Sequence, residues 1–88
     1  MYTILCFYSQ WDKTSNRIQE LVKSVNIPDV IMMPIDIEEA IDMIDNYRIA
    51  TVPTFIVKAP TGAVLGTQKG FSTLEELETF IKRSIDGK

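Results

Sequence analysis

The sequence predicts an α/β domain with a four-stranded mixed sheet of strand order 2-1-3-4 and three helices, in the chain order β-α-β-α-β-β-α. The segment Tyr2–Tyr8 is nearly continuous in apolar, β-branched or aromatic residues, which is typical of a strand buried on both faces. Pro34 lies inside the next strand segment and favours an edge position, because proline has no backbone N–H to donate. Turn residues at 59–62 separate two further strand segments and predict a closing hairpin.

The first half of the chain predicts a strand, a helix and an edge strand in turn. After the first strand, apolar residues recur at the spacing of one helix face, at Ile18, Leu21, Val22 and Val25. Pro28 follows and ends the helix. Residues 30–35 form the second strand, whose Met32 and Met33 are expected to fill gaps in the core.

A second helix is expected directly after the second strand. Asp36 is placed to cap it, and Glu38 and Glu39 would lie in its first turn, where the helix dipole favours negative charge. Its apolar side is predicted to be Ala40, Ile41 and Ile44, with Met43 as a further core residue. Residues 54–58 form the third strand, and two successive βαβ connections predict that strands 1, 2 and 3 are parallel.

The last third of the chain predicts a strand and a helix. Residues 63–68 would return antiparallel to the third strand. Ser72 or Thr73 can cap the last helix, because each has a glutamate three residues later, the spacing of a capping box. The buried face of this helix is predicted to be Leu74, Leu77, Ile81 and Ile85.

The composition of the chain excludes several kinds of site and disfavours some classes of function. The 88 residues, 45% of them hydrophobic, predict one folded domain over residues 1–88. A net charge of -3 disfavours general binding to nucleic-acid phosphates, and no apolar run approaches the length needed to span a bilayer. One cysteine and no histidine exclude a cysteine-based zinc site, a Ser-His-Asp triad and a Cys-His dyad within one chain. The expectation is a cytoplasmic protein with no cofactor and no metal.

Two segments, residues 7–11 and 47–55, resemble parts of the thioredoxin superfamily. The aromatic stretch Phe7-Tyr8-Ser9-Gln10-Trp11 is similar to the one that precedes the Cys-x-x-Cys motif of thioredoxins. Tyr47-Arg48-Ile49-Ala50-Thr51-Val52-Pro53-Thr54-Phe55 is similar to the segment that holds the family's cis-proline, and Gly70 matches the glycine after the last strand. The resemblance implies a minimal, glutaredoxin-sized form that starts at the family's second strand. It also implies that the proline faces the active site and that Val52, before it, can pair with an extended peptide.

The chain differs from this family at the positions of the residues that carry out thiol chemistry. The position of the Trp-Cys-x-x-Cys motif reads Trp11-Asp12-Lys13-Thr14-Ser15, and the family's buried aspartate falls at Cys6. Thiol–disulfide exchange needs a thiolate, which neither Asp12 nor Ser15 can supply. Asp12 is expected to cap the first helix.

Cys6 leaves one alternative open. Cys6-Phe7-Tyr8-Ser9 has the spacing of a monothiol Cys-x-x-Ser site, as in glutathione-linked glutaredoxins. A reactive cysteine of this kind is partly exposed and acidic. Cys6 lies inside an apolar run, which favours a buried core cysteine instead.

The sequence therefore predicts a redox-inactive thioredoxin-like binding or adaptor module, with a protein or an extended peptide as partner and without nucleic-acid or membrane binding. The alternatives are a monothiol enzyme that uses Cys6, and an accessory subunit that competes with thioredoxin for a partner. The predicted contact surface is the family's substrate-binding face: Trp11, Asp12, Lys13, Thr14, Ser15, Thr51, Val52, Pro53, Gly70 and Phe71.

Overall fold

A computed structural model describes residues 1–70 and 73–87. Its strands form one four-stranded sheet in the order β2-β1-β3-β4, as the sequence predicts. In chain order the elements are β1 (Tyr2–Tyr8), α1 (Lys13–Asn16), α2 (Ile18–Ser24), β2 (Val30–Asp36), α3 (Ile41–Tyr47), β3 (Thr54–Lys58), β4 (Val64–Lys69) and α4 (Leu74–Asp86). No helix in these ranges is long and apolar enough to cross a bilayer.

The central position of β1 is confirmed, and its residues divide between two apolar clusters. Ile4 and Cys6 pack on one face of the sheet with β3, α2 and α4. Leu5 and Phe7 pack on the other face with Ile56 and with residues of the α3 region. Because successive side chains of a strand point to opposite faces, a strand covered on both sides needs apolar residues at every position.

The direction of β3 differs from the prediction. β1 and β2 are parallel, but β1 and β3 are antiparallel, with Phe7 opposite Thr54 and Thr3 opposite Lys58. The seven residues of α3 extend only about 10 Å, which is too short to return the chain along the full length of the sheet. The chain therefore enters β3 at the end where β1 and β2 finish. The antiparallel β3–β4 hairpin is as predicted.

The first predicted helix forms as two consecutive segments, α1 and α2, which meet at Arg17. Its apolar stripe is confirmed for Ile18 and Val22, which are buried, and for Val25, which packs against the same cluster. The fourth predicted residue, Leu21, is half-buried and does not belong to that cluster. Asp12 caps α1 as expected, because its side chain accepts hydrogen bonds from the backbone N–H groups of Thr14 and Ser15.

The second predicted helix starts later than expected. Asp36 ends β2, and its Oδ1 accepts a hydrogen bond from the Glu38 N–H at 2.9 Å, within a turn rather than a helix. Helix α3 begins at Ile41, so Glu38 and Glu39 precede it. Ile41 is 67% exposed and does not belong to the apolar side, whereas Met43 packs against the Leu5–Phe7 cluster as predicted.

Strand β2 lies at the sheet edge, as Pro34 predicted. Met32 packs against the core as expected, but Met33 is 48% exposed. Met33 faces the same side as Leu5, and the short helix α3 does not cover this far. The prediction that Met33 is a core residue was wrong for that reason.

Thr73, one of the two predicted N-cap residues, caps helix α4. Thr73 Oγ1 accepts a hydrogen bond from the Glu76 N–H at 3.1 Å, and the other candidate cap, Ser72, lies outside the described residues. Leu77 and Ile81 are fully buried and Ile85 packs beside them, as predicted. Leu74, the first residue of the predicted face, is half-buried and does not belong to that cluster.

Candidate functional site

Three loops meet at one end of the sheet. Trp11 follows β1, the segment 51–53 precedes β3, and Gly70 follows β4. The antiparallel registers place Phe7 opposite Thr54 and Thr54 opposite Lys69, so these strand ends are adjacent. The Gly70 N–H donates to the Pro53 carbonyl at 2.8 Å and ties two of the loops together. Most of the predicted contact surface is therefore brought to one place by the fold.

Ser15 occupies the position of the family's second cysteine, and it is part of the interior. Its Oγ accepts a hydrogen bond from the Ser9 N–H at 3.0 Å and lies 3.3 Å from the carbonyl oxygens of Ser9 and Asp12. The side chain is 0% exposed. The hydroxyl joins the end of β1 to the first turn of α1. Ser15 therefore cannot contact a partner, and its inclusion in the predicted surface was wrong.

Trp11 is the most exposed large hydrophobic residue of the described chain, at 76%. Its backbone N–H donates to the Ser9 Oγ at 3.2 Å, so the loop is held while the indole ring projects outward. Lys13 and Thr14 beside it are exposed and Asp12 is half-buried. An exposed tryptophan on an anchored loop suits a contact anchor, because its large rigid ring loses little conformational entropy on binding.

In the segment before β3, Thr51 is exposed and Val52 is half-buried. The Val52–Pro53 peptide bond is cis, and Thr54 Oγ1 donates to the Thr51 carbonyl at 2.6 Å. Pro53 is buried, so little of its ring is accessible to a partner. Among the described residues, the N–H and C=O of Val52 have no hydrogen-bond partner.

A small apolar cleft lies beside this segment. Its volume is about 90 Å³, and it is lined by Ile37, Ile44, Ile49, Ala50, Thr51 and Val52. Ile37 and Ile49 are not among the predicted site residues. For Ile37, the position in the sequence indicates that it lies near the site, because it directly follows β2, whose end lies beside the end of β1. Alternation within the strands cannot reveal such residues, because they lie just outside them.

Gly70 closes the site on the β4 side. Its φ of 76° lies in the left-handed region, which glycine adopts without strain. The carbonyl of Gly70 accepts a hydrogen bond from Gln68 Nε2 at 3.1 Å. Phe71, the next predicted contact residue, lies outside the described residues.

Cys6 belongs to the core, as the favoured interpretation of the sequence predicts. The thiol is 0% exposed and lies 3.5 Å from the Ile4 carbonyl. Burial raises its pKa from 9.0 to about 12, partly offset by a backbone hydrogen bond from Met33. The monothiol alternative requires an exposed, acidic thiol, and Cys6 is neither.

Carboxylate side chains lie at this end of the sheet, on the side of β2. Partial burial raises the pKa of the Tyr8 phenol, and the carboxylates of Asp36 and Glu39 raise it further. Asp36 is 8% exposed at the end of β2. Within residues 1–70 and 73–87, no group of three or more cysteine, aspartate or glutamate side chains converges to hold a metal ion. The site offers an aromatic anchor, negative charge and backbone groups of Val52 that no other described residue binds.

The fold of the chain is similar to that of solved thioredoxins. A point mutant of a thioredoxin from Halobacterium salinarum superposes with a TM-score of 0.83 at 20% identity, covering 94% of this chain and 74% of that one. The germline-specific thioredoxin Deadhead from Drosophila melanogaster gives a TM-score of 0.81 at 19% identity, with 93% and 79% covered. A designed protein gives 0.75 at 24% identity, with 96% and 80% covered. No protein family model and no curated protein sequence matches the chain. At these identities the similarity concerns architecture, and by that measure the chain has a thioredoxin-like fold.

Proposed function

We propose that this chain is a thioredoxin-like binding module that does no thiol chemistry and holds a protein or extended peptide at the end of its sheet. The observation that carries the proposal is an anchored, exposed Trp11 at the same end of the sheet as Val52, whose backbone groups have no hydrogen-bond partner within residues 1–70 and 73–87. A peptide strand could hydrogen-bond to Val52 while one of its side chains packs against the indole ring.

The absence of thiol chemistry in this proposal is supported by the residues at the three positions where the resemblance places the family's two motif cysteines and its buried aspartate. Asp12 caps a helix, Ser15 is a buried hydrogen-bonding residue, and Cys6 is buried with a raised pKa. None of them provides an accessible thiolate, which disulfide exchange requires.

The redox half of the proposal is tested by reduction of insulin disulfides with dithiothreitol. The native chain is expected to leave the rate at the level of dithiothreitol alone. The variant Asp12→Cys/Ser15→Cys restores both motif cysteines and serves as the control that the scaffold presents a dithiol. Acceleration by the native chain that is lost in Cys6→Ala would establish the monothiol enzyme instead.

The binding half is tested with extended peptides selected from a random display library. Trp11 is the only tryptophan, so its fluorescence reports directly on the proposed site. Selected peptides are expected to shift its emission and to perturb the amide resonances of Val52 and Gly70. Trp11→Ala should abolish their binding, whereas Ile41→Ala removes a similarly exposed side chain from another surface and should not. Peptides that bind Trp11→Ala as well as the native chain would refute the proposed site.

An accessory subunit that competes with thioredoxin is a narrower form of the same proposal. It requires the same surface and predicts a stable complex that is sensitive to Trp11→Ala and insensitive to Cys6→Ala. Competition between this chain and a thioredoxin for one partner, measured at equilibrium, separates it from a module with its own targets.

A further inference from the structure

The outer edge of β4 is open. β4 is the last strand of the sheet, and no other strand among the described residues pairs with its outer side. The Gly70 N–H bonds to the Pro53 carbonyl, and antiparallel pairs alternate between bonded and non-bonded. Gln68 and Gly66 therefore bond to β3, whereas Thr67 and Lys69 direct their N–H and C=O groups outward.

The two edges of the sheet are not equivalent. The edge strand β2 contains Pro34, which has no backbone N–H to donate and so disfavours pairing with a further strand on that side. β4 contains no proline, and from Gly66 to Lys69 it pairs with β3 without a register shift, so its outward donors and acceptors are regularly spaced there. A strand that extends this sheet would therefore add to β4.

Helix α4 flanks this edge closely and carries opposite charges at its two ends. Gly66 faces the helix: a Cβ at this position would collide with Ser84 Oγ and lie 3.3 Å from the Phe80 ring. A groove of about 530 Å³ runs along the helix, with Glu75, Glu76, Phe80 and Arg83 among its lining residues. Glu76 and Arg83 are seven residues apart, so they share one side of the helix, about 10 Å from each other.

A second copy of the chain complements this edge by two-fold symmetry. If Thr67 lies on the axis, it pairs with Thr67 of the second copy, so Lys69 does not lie opposite the same lysine of that copy. The two α4 helices then run antiparallel, and Glu76 of each faces Arg83 of the other. With strands about 4.8 Å apart, helices that each lie over β3 and β4 would be separated by about 10 Å, a normal packing distance.

We propose that two copies of this chain associate through antiparallel pairing of their β4 strands, with reciprocal Glu76–Arg83 contacts between their α4 helices. The dimer would form one continuous eight-stranded sheet. This interface is independent of the proposed peptide site, since it involves the edge strand and α4 rather than Trp11 and Val52.

Sedimentation equilibrium of the full chain over a range of concentrations tests the proposal. The native chain is expected to approach twice its 10.0 kDa mass, in a concentration-dependent manner. Glu76→Arg and Arg83→Glu each place like charges across the axis and should raise the dimer dissociation constant about tenfold or more. The double variant Glu76→Arg/Arg83→Glu exchanges the charges and should restore the native dissociation constant. Circular dichroism confirms that each variant is folded.

The two single variants also test the symmetry. A mixture of Glu76→Arg with Arg83→Glu brings opposite charges together at both contacts, so it should form a heterodimer more readily than either variant dimerises alone. Asp42→Arg and Lys23→Glu are the matched controls, because they make the same changes in net charge on exposed residues elsewhere. Both controls should dimerise like the native chain.

Thr67→Pro examines the strand pairing itself. It removes an outward N–H that is not used in the β3–β4 ladder and should yield a folded monomer. A native chain that remains monomeric up to about 1 mM overturns the proposal. A dimer whose dissociation constant is unchanged in both charge variants, or is raised equally in the controls, overturns it as well.

Discussion

Burial of the Cys6 thiol makes the stability of this protein depend on alkaline pH in a way that one substitution removes. The pKa of Cys6 is raised from 9.0 to about 12, chiefly because burial disfavours the thiolate. In the unfolded chain the thiol loses its proton near pH 9, whereas the folded protein retains it. The contribution of Cys6 to the free energy of unfolding is therefore fully present below pH 9. It is lost progressively as the pH rises toward 12.

The size of the effect follows from the difference between the two pKa values. A difference of about three corresponds to about 4 kcal/mol, of which about 3 kcal/mol is lost by pH 11. Cys6→Ala cannot ionise, so its cost comes from the small cavity that it leaves and is the same at every pH. The native protein should therefore lose its stability advantage over Cys6→Ala between about pH 8 and about pH 11.

Urea unfolding of both proteins at about pH 8 and about pH 11 measures this difference directly. Tyrosine and lysine residues titrate in the same range, but they are common to both proteins and cancel in the comparison. Native-state alkylation provides a second readout, since the folded thiolate should be about 1,000-fold less populated at about pH 8 than the unfolded one. Parallel losses of stability in the two proteins, or native alkylation as fast as in denaturant, would refute the reasoning.

Three further substitutions test the structure around the site. Ser15→Ala leaves the buried Ser9 N–H without a partner and should cost about 1–3 kcal/mol in urea unfolding, whereas the exposed control Thr14→Ala should cost far less. Asp12→Ala removes the cap of α1 and should cost about 1 kcal/mol, with a smaller loss in Asp12→Asn, because asparagine can still accept the backbone hydrogen bonds. Gly66→Ala forces a methyl group against Ser84 and should cost about 1–3 kcal/mol in urea unfolding, and a variant as stable as the native chain would count against close packing there.

Much of the site was accessible from the sequence because it depends on local chemistry. The position of Trp11 in a polar loop, the capping role of Asp12 and the turn at Pro53 follow from residues that act on their immediate neighbours. The burial of Ser15 and Pro53 and the cleft beside Ile37 and Ile49 were not predicted. Each of these depends on which distant segment lies alongside, and hydrophobic periodicity carries no information about that.

The sequence by itself determined the strand order, since an apolar run without alternation requires covering on both faces and a proline without a donor requires an edge. It also determined that one chain holds no dithiol, because it has a single cysteine. Only the tertiary structure decided the direction of β3, the exposure of Ile41 and Met33, and the burial of Ser15. The first depends on how far a two-turn helix can carry the chain, and the others depend on which surfaces the neighbouring segments cover. These are properties of the connections in space, and residue patterns along a single segment do not encode them.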